Sequence, residues 1–100
     1  MTNKTTWFIT GASSGFGKAL AEYAVNQGYQ VVATARRKEK LDALAATAPE
    51  QILPLKMDVT KREEVQNGIQ QAVEHFGGID VLINNAGYGI VGALEETPES

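Results

Sequence analysis

The sequence predicts an α/β fold, a parallel sheet with helices on both faces, and three observations carry that prediction. Segments of strand character alternate with segments of helical periodicity along the chain. The β-branched runs lack strict in-and-out alternation, as expected of strands covered on both sides. A glycine-rich loop, Thr10–Gly11–Ala12–Ser13–Ser14–Gly15–Phe16–Gly17, joins the first apolar run directly to the first helical pattern, and right-handed crossovers then make the strands parallel.

Taken in order, Trp7–Phe8–Ile9 is the first strand. Phe16, Ala19, Leu20, Tyr23 and Ala24 fall on one face of a first helix, with Gly28 as its stop. Tyr29–Ala35 is a second strand, ending in Arg36–Arg37. Leu41, Leu44, Ala45 and Ala48 mark a second helix, closed by Pro49, and Ile52–Met57 is a third strand. Pro54 has no N–H to give to a ladder, which assigns that strand to an edge. Thr60–Lys61–Arg62–Glu63 has the form of a capping box opening a third helix, whose expected buried stripe is Val65, Ile69, Ala72, Val73 and Phe76. Gly77–Gly78 end it, and Ile79–Ile83 is a fourth strand running into Asn84–Asn85–Ala86–Gly87.

With the first strand central and the third at one edge, the fourth forms the other edge, and its bare apolar backbone is expected to promote association. Thr97–Pro98 is a helix-opening pair with only Glu99 and Ser100 behind it. The expectation is therefore a single domain over residues 1–100 that is the N-terminal part of a longer fold, its first four strands with their helices.

Bulk properties exclude several function classes. The net charge is −3, with six basic and four acidic residues in the first fifty positions and three and eight in the second; this argues against a general nucleic-acid or membrane binder. Arg36–Arg37–Lys38 is the one dense basic patch, and the acidic balance outweighs a nucleic-acid role for it. Without cysteine, and with His75 alone, neither disulfides nor a thiolate or histidine metal site is available. The polar start is not followed by the apolar core of a signal peptide, and no apolar run is long enough to span a bilayer, so the expected location is cytoplasmic.

The glycine loop carries the chemistry. Backbone N–H groups at a helix start lack intrahelical partners and the macrodipole makes that end partly positive, so the loop is built to receive a phosphate. Gly17–Lys18–Ala19 approaches a nucleoside triphosphatase P-loop but places Ala19 where a magnesium-binding hydroxyl is required and Ala12 where the first glycine belongs. A dinucleotide site is the functional reading; a tight turn serving only strand–helix packing is the bland one.

Together, the Thr10–Gly17 loop, Asp58–Val59 and Asn84–Asn85–Ala86–Gly87 resemble the cofactor-binding half of the short-chain dehydrogenase/reductase family. The resemblance implies a Rossmann-type, doubly wound sheet and an NAD(P)(H)-dependent interconversion of a small carbonyl or alcohol substrate by hydride transfer. It implies that Gly11, Ser13, Ser14, Gly15 and Phe16 cradle the pyrophosphate and adenosine ribose. Asp58 and Val59 would contact the adenine, and Asn85, Ala86 and Gly87 would lie beside the nicotinamide-side ribose, with Asn84 bracing the sheet. Asp58 also suits a plain turn before the capping box, and Asn85–Ala86–Gly87 a plain turn. The family forms homo-oligomers, which the resemblance extends to the complete protein.

Cofactor choice turns on the end of the second strand. An acid there accepts from a ribose 2′-OH, whereas a 2′-phosphate needs the acid absent and an arginine nearby. Ala35 holds that place and Arg36 follows, which favours NADP(H) over NAD, with Arg37 assisting; a solvated charge run in which Glu39 pairs with Arg36 is the alternative. The family's catalytic Tyr-x-x-x-Lys does not occur: Tyr23, Tyr29 and Tyr88 are followed four residues on by Gln27, Ala33 and Gly92. No catalytic residue is therefore assigned, and a non-catalytic dinucleotide sensor or scaffold is the rival reading.

Overall fold

A computed structural model describes residues 5–13 and 15–85. Its elements run β1 (Thr6–Ile9), α1 (Gly15–Asn26), β2 (Gln30–Ala35), α2 (Lys38–Ala46), β3 (Ile52–Lys56), α3 (Arg62–Phe76) and β4 (Val81–Ile83). The four strands form one parallel sheet in the order β3-β2-β1-β4. The expected architecture, strand order and edge position of the Pro54 strand are thus found; Pro54 lies opposite Ala33 in the β2–β3 register. No helix among the described residues is long and apolar enough to cross a membrane.

Adjacent residues of one strand are buried on opposite faces, which explains the missing alternation. Ile9, Val31 and Ala33 pack with Ala21 and Ala24 of α1 and Leu41 and Leu44 of α2 on one side. Phe8 and Val32 pack with Met57 and Ala72 of α3 on the other. The core is therefore two thin layers with the sheet between them.

The faces of α1 and α3 match the expected ones at Ala24 and Ala72, which are buried, and differ at other positions. In α1 the buried residues are Gly17, Ala21 and Ala24, while Phe16 and Tyr23 are 66% and 51% exposed and Ala19 is exposed too. A Cβ on Gly17 would fall within the Gly11 carbonyl group, so the helix is seated on its small residues and the bulky ones are carried to its flanks. Tyr23 meets the side of Trp7 at 6.0 Å, and Trp7 stacks on Tyr29 at 5.6 Å. The same rule applies to α3, where Gly68 and Ala72 are buried and Ile69 and Val73 are exposed; a Cβ on Gly68 would press on the Met57 sulfur.

Two boundaries also shift. Thr60 does not cap α3: the cap position is Lys61, without a side-chain hydrogen bond, because Asp58 has already engaged the Thr60 hydroxyl and N–H. The fourth strand begins at Val81 rather than Ile79, since Asp80 turns its carboxylate back onto the Thr6 N–H at 2.8 Å while its own N–H donates to the Thr6 carbonyl.

Candidate functional site

β1 lies between β2 and β4, so the crossovers from the sheet centre depart in opposite directions and the loops at the carboxyl ends of β1 and β2 part there. In a doubly wound sheet such a switch point leaves a crevice for a ligand. An open cleft of about 970 Å³ occupies that end of the sheet, on the β1–β2–β3 side. Gly11, Ser13, Arg36, Arg37, Asp58 and Val59, six of the residues singled out from sequence, line it together, joined by Glu39, Lys40 and Thr60 among others. Gly15 and Ser13 line an adjoining groove between α1 and α2 that also contains Lys18 and Lys40. Ser14, Ala86 and Gly87 lie outside the described residues.

The floor of the loop is held by hydrogen bonds from strands on either side of β1. The Thr10 N–H donates to the Ile83 carbonyl at 3.0 Å and the Ala12 N–H to the Thr34 carbonyl at 2.9 Å. The Thr10 hydroxyl donates toward the Asn84 side-chain oxygen at 3.2 Å and accepts from the Asn85 N–H at 2.8 Å. Asn84 thus braces the sheet, as anticipated. The Asn85 amide group donates to the Gly11 carbonyl at 3.2 Å, so this residue also ties down the loop. Gly11 and Gly15 have φ of 64° and 60°, values that side-chain-bearing residues adopt at a cost. Around Gly15 the space a Cβ would enter is open within 4 Å, so the helix mouth is accessible to a ligand atom.

On the far wall, Asp58 follows β3. Its Oδ1 accepts from the Thr60 hydroxyl at 2.7 Å and the Thr60 N–H at 2.9 Å. These bonds hold the carboxyl below the usual carboxylate range, with Arg36 and Lys61 adding to the effect and partial burial opposing it. The Asp58 N–H donates to Glu64 Oε1 at 2.8 Å. Asp58 is thus the turn former that one sequence reading allowed, and its carboxylate is ionised at neutral pH.

Arg36 is exposed at the carboxyl end of β2. Among the described residues it forms no ion pair: Glu39, the suggested partner, is not bonded to it, and the ion pair present is Lys38–Asp42 at 3.7 Å. The cleft is thus lined by the Arg36 guanidinium, which has no ion pair among the described residues, by Glu39 and by the anchored Asp58 carboxylate. Sequence reading missed the hydrogen-bonding roles of Thr10, Thr60 and Glu64; position after a strand was a usable signal for Thr10, whereas the reach of Glu64 across six residues left none.

The donor set suits a dinucleotide: accessible helix-start N–H groups, a cation at the end of the second strand, and an acceptor–donor pair at the end of the third. A family model described as short chain dehydrogenase matches residues 5–100. The protein called Oxidoreductase BOA17, from Botryotinia fuckeliana, is 46% identical over 91 residues, covering 90% of this chain and 33% of its own. The crystal structure of a short-chain dehydrogenase from Streptomyces avermitilis superposes with a TM-score of 0.81 at 46% identity, over 95% of this chain and 35% of that one. A 3-ketoacyl-(acyl-carrier-protein) reductase from Brucella melitensis, crystallised with NADH, gives 0.77 at 29% identity, over 82% and 34% of the two chains. The chain spans about a third of the length of the curated relatives it matches.

Proposed function

The chain belongs to the short-chain dehydrogenase family, and on that premise we propose that residues 1–100 are the NADP(H)-binding, N-terminal part of an oxidoreductase acting on a small carbonyl or alcohol substrate. The observation that carries the cofactor choice is Arg36 beside Ala35, without an ion pair among the described residues and in the same cleft as Asp58. An acid at Ala35 would repel a 2′-phosphate; an arginine one residue on can bind it through a charge-assisted, two-pronged contact. The NADH found in the Brucella reductase speaks for a nicotinamide dinucleotide in this fold, and the residues at the end of β2 decide between its two forms.

In this reading the backbone N–H groups of Gly11, Ser13, Ser14, Gly15 and Phe16 cradle the pyrophosphate and the adenosine ribose, with the Ser13 and Ser14 hydroxyls assisting; the Ala12 N–H is taken by the Thr34 carbonyl. Asp58 accepts from the adenine amino group and the Val59 N–H donates to a ring nitrogen. Asn85, Ala86 and Gly87 lie along the nicotinamide-side ribose. The bound cofactor supplies the hydride donor or acceptor. What these residues contribute is placement: the loop fixes the phosphates and the two ends of the cleft fix the two nucleosides, so the ring is delivered in one orientation.

Calorimetric titration with NADPH, NADP⁺ and NADH tests the reading. NADPH is expected to bind at least about tenfold more tightly than NADH, the value of a charge-assisted contact. Absence of heat with all three coenzymes would remove the dinucleotide assignment, and a preference for NADH would remove the role given to Arg36.

A further inference from the structure

We propose that Thr60 and Glu64 are positioning residues for adenine recognition, together presenting a single carboxylate oxygen of Asp58, Oδ2, to the base. The inference rests on the reading of Asp58 as the adenine contact and adds how that contact is made selective. Three of the polar groups of Asp58 are already spoken for. Its N–H donates to Glu64 Oε1 at 2.8 Å, its carbonyl accepts from the Lys61 N–H at 3.0 Å, and its Oδ1 accepts both Thr60 donors, at 2.7 and 2.9 Å. Oδ2 accepts no hydrogen bond from the described residues.

An aspartate in a loop ordinarily turns about its last torsion, offering either oxygen over a broad range of directions. Two donors on one oxygen remove that freedom, and the backbone anchor to the first turn of α3 removes the freedom of the loop beneath it. Val59, which follows Asp58, gains from the same anchor, so the acceptor on Asp58 and the N–H beside it are held as one rigid pair. Such a pair matches the edge of adenine, where an amino donor neighbours a ring-nitrogen acceptor. It mismatches hypoxanthine, where a carbonyl replaces the amino group and would face the carboxylate oxygen. A fixed acceptor left facing a carbonyl has no partner, and sites of that kind discriminate strongly.

The test compares NADPH with its hypoxanthine counterpart by calorimetric titration, on the chain and on five variants. Parent chain is expected to favour the adenine form by roughly ten- to hundredfold, the range of a hydrogen bond to a charged group. Thr60→Val and Glu64→Leu should each bring that ratio down at least about fivefold, by weakening NADPH alone and leaving the affinity for the hypoxanthine form in place. Thr60→Ser and Glu64→Gln retain a hydroxyl and a side-chain carbonyl acceptor, and should restore it. Since Thr60 is exposed, its variants test the idea even where a Glu64 variant unfolds. Equal weakening of both dinucleotides, or an unchanged ratio, would overturn the positioning role. If parent chain and Asp58→Asn both bind the two forms alike, the adenine contact of Asp58 is itself wrong and the inference falls with it.

Discussion

Replacing Gly17 by alanine probes the packing that shapes the loop. The added Cβ would enter the space of the Gly11 carbonyl and come within 2.7 Å of the Asn85 side-chain nitrogen. Relief requires either lifting α1 from the sheet or swinging Asn85 away, which breaks its 3.2 Å bond to Gly11. Overpacking of this kind costs about 1–3 kcal/mol, and the lost hydrogen bond about 0.5–1.5 kcal/mol. Exchanging glycine for alanine inside a helix returns about 1 kcal/mol. The net expectation is destabilisation by about 1–3 kcal/mol, since the collision is with backbone, which yields least. In urea, with a slope of about 1–3 kcal/mol per molar, that moves the unfolding midpoint down by roughly 1 M. Equilibrium unfolding followed by circular dichroism measures it. A midpoint within about 0.2 M of the parent would mean that α1 does not sit on the Gly11 carbonyl, and the account of the loop would have to be abandoned.

Gly68→Ala is the matched contrast: its Cβ would meet the Met57 sulfur at 2.8 Å, an atom near the end of a flexible side chain, so the unfolding free energy should stay within about 1 kcal/mol of the parent's. Arg36→Ala should weaken NADPH by roughly ten- to hundredfold and NADH by less than about twofold; equal losses in titration would show that the arginine does not read the phosphate. Thr34→Val removes the buried 3.2 Å bond to the Ile9 carbonyl and should cost about 0.5–1.5 kcal/mol in the same urea experiment. For Asp58 the sign follows from its lowered folded-state pKa: its contribution is present above the unfolded-state value and is lost as pH falls through the folded-state one. Carboxyl carbon shifts should therefore show Asp58 titrating below the ordinary aspartate range, and titrating higher in Thr60→Val; unchanged titration in the variant would remove Thr60 as the cause.

The sheet was legible because burial on two faces writes itself into unbroken apolar runs, and because Pro54 can sit only where its missing N–H is not needed. The helix faces were legible only in part. Periodicity picks Ala24 and Ala72 correctly, but it weighs side chains by size and so adds Phe16, Tyr23, Ile69 and Val73, while the close approach of α1 and α3 to the sheet buries Gly17, Ala21 and Gly68, which it passes over. The capping box failed for a related reason. A short pattern around Thr60 cannot reveal that Asp58, two residues earlier, competes for the same hydroxyl. In the site, residues flanking strand ends were legible, since a parallel sheet must bring those ends together. Glu64 was not, because its partner is a backbone N–H six residues away.

The ties from Thr10 and Gly11 to Asn84 and Asn85 span 74 or 75 positions of the chain. At about 5–20 residues per second of ribosomal synthesis, several seconds separate the making of the loop from the making of its clamps. A nascent polypeptide therefore carries its glycine loop unfastened until the fourth strand has emerged and docked. Protection of the loop's amides on the ribosome should begin abruptly at that length rather than grow with each added helix.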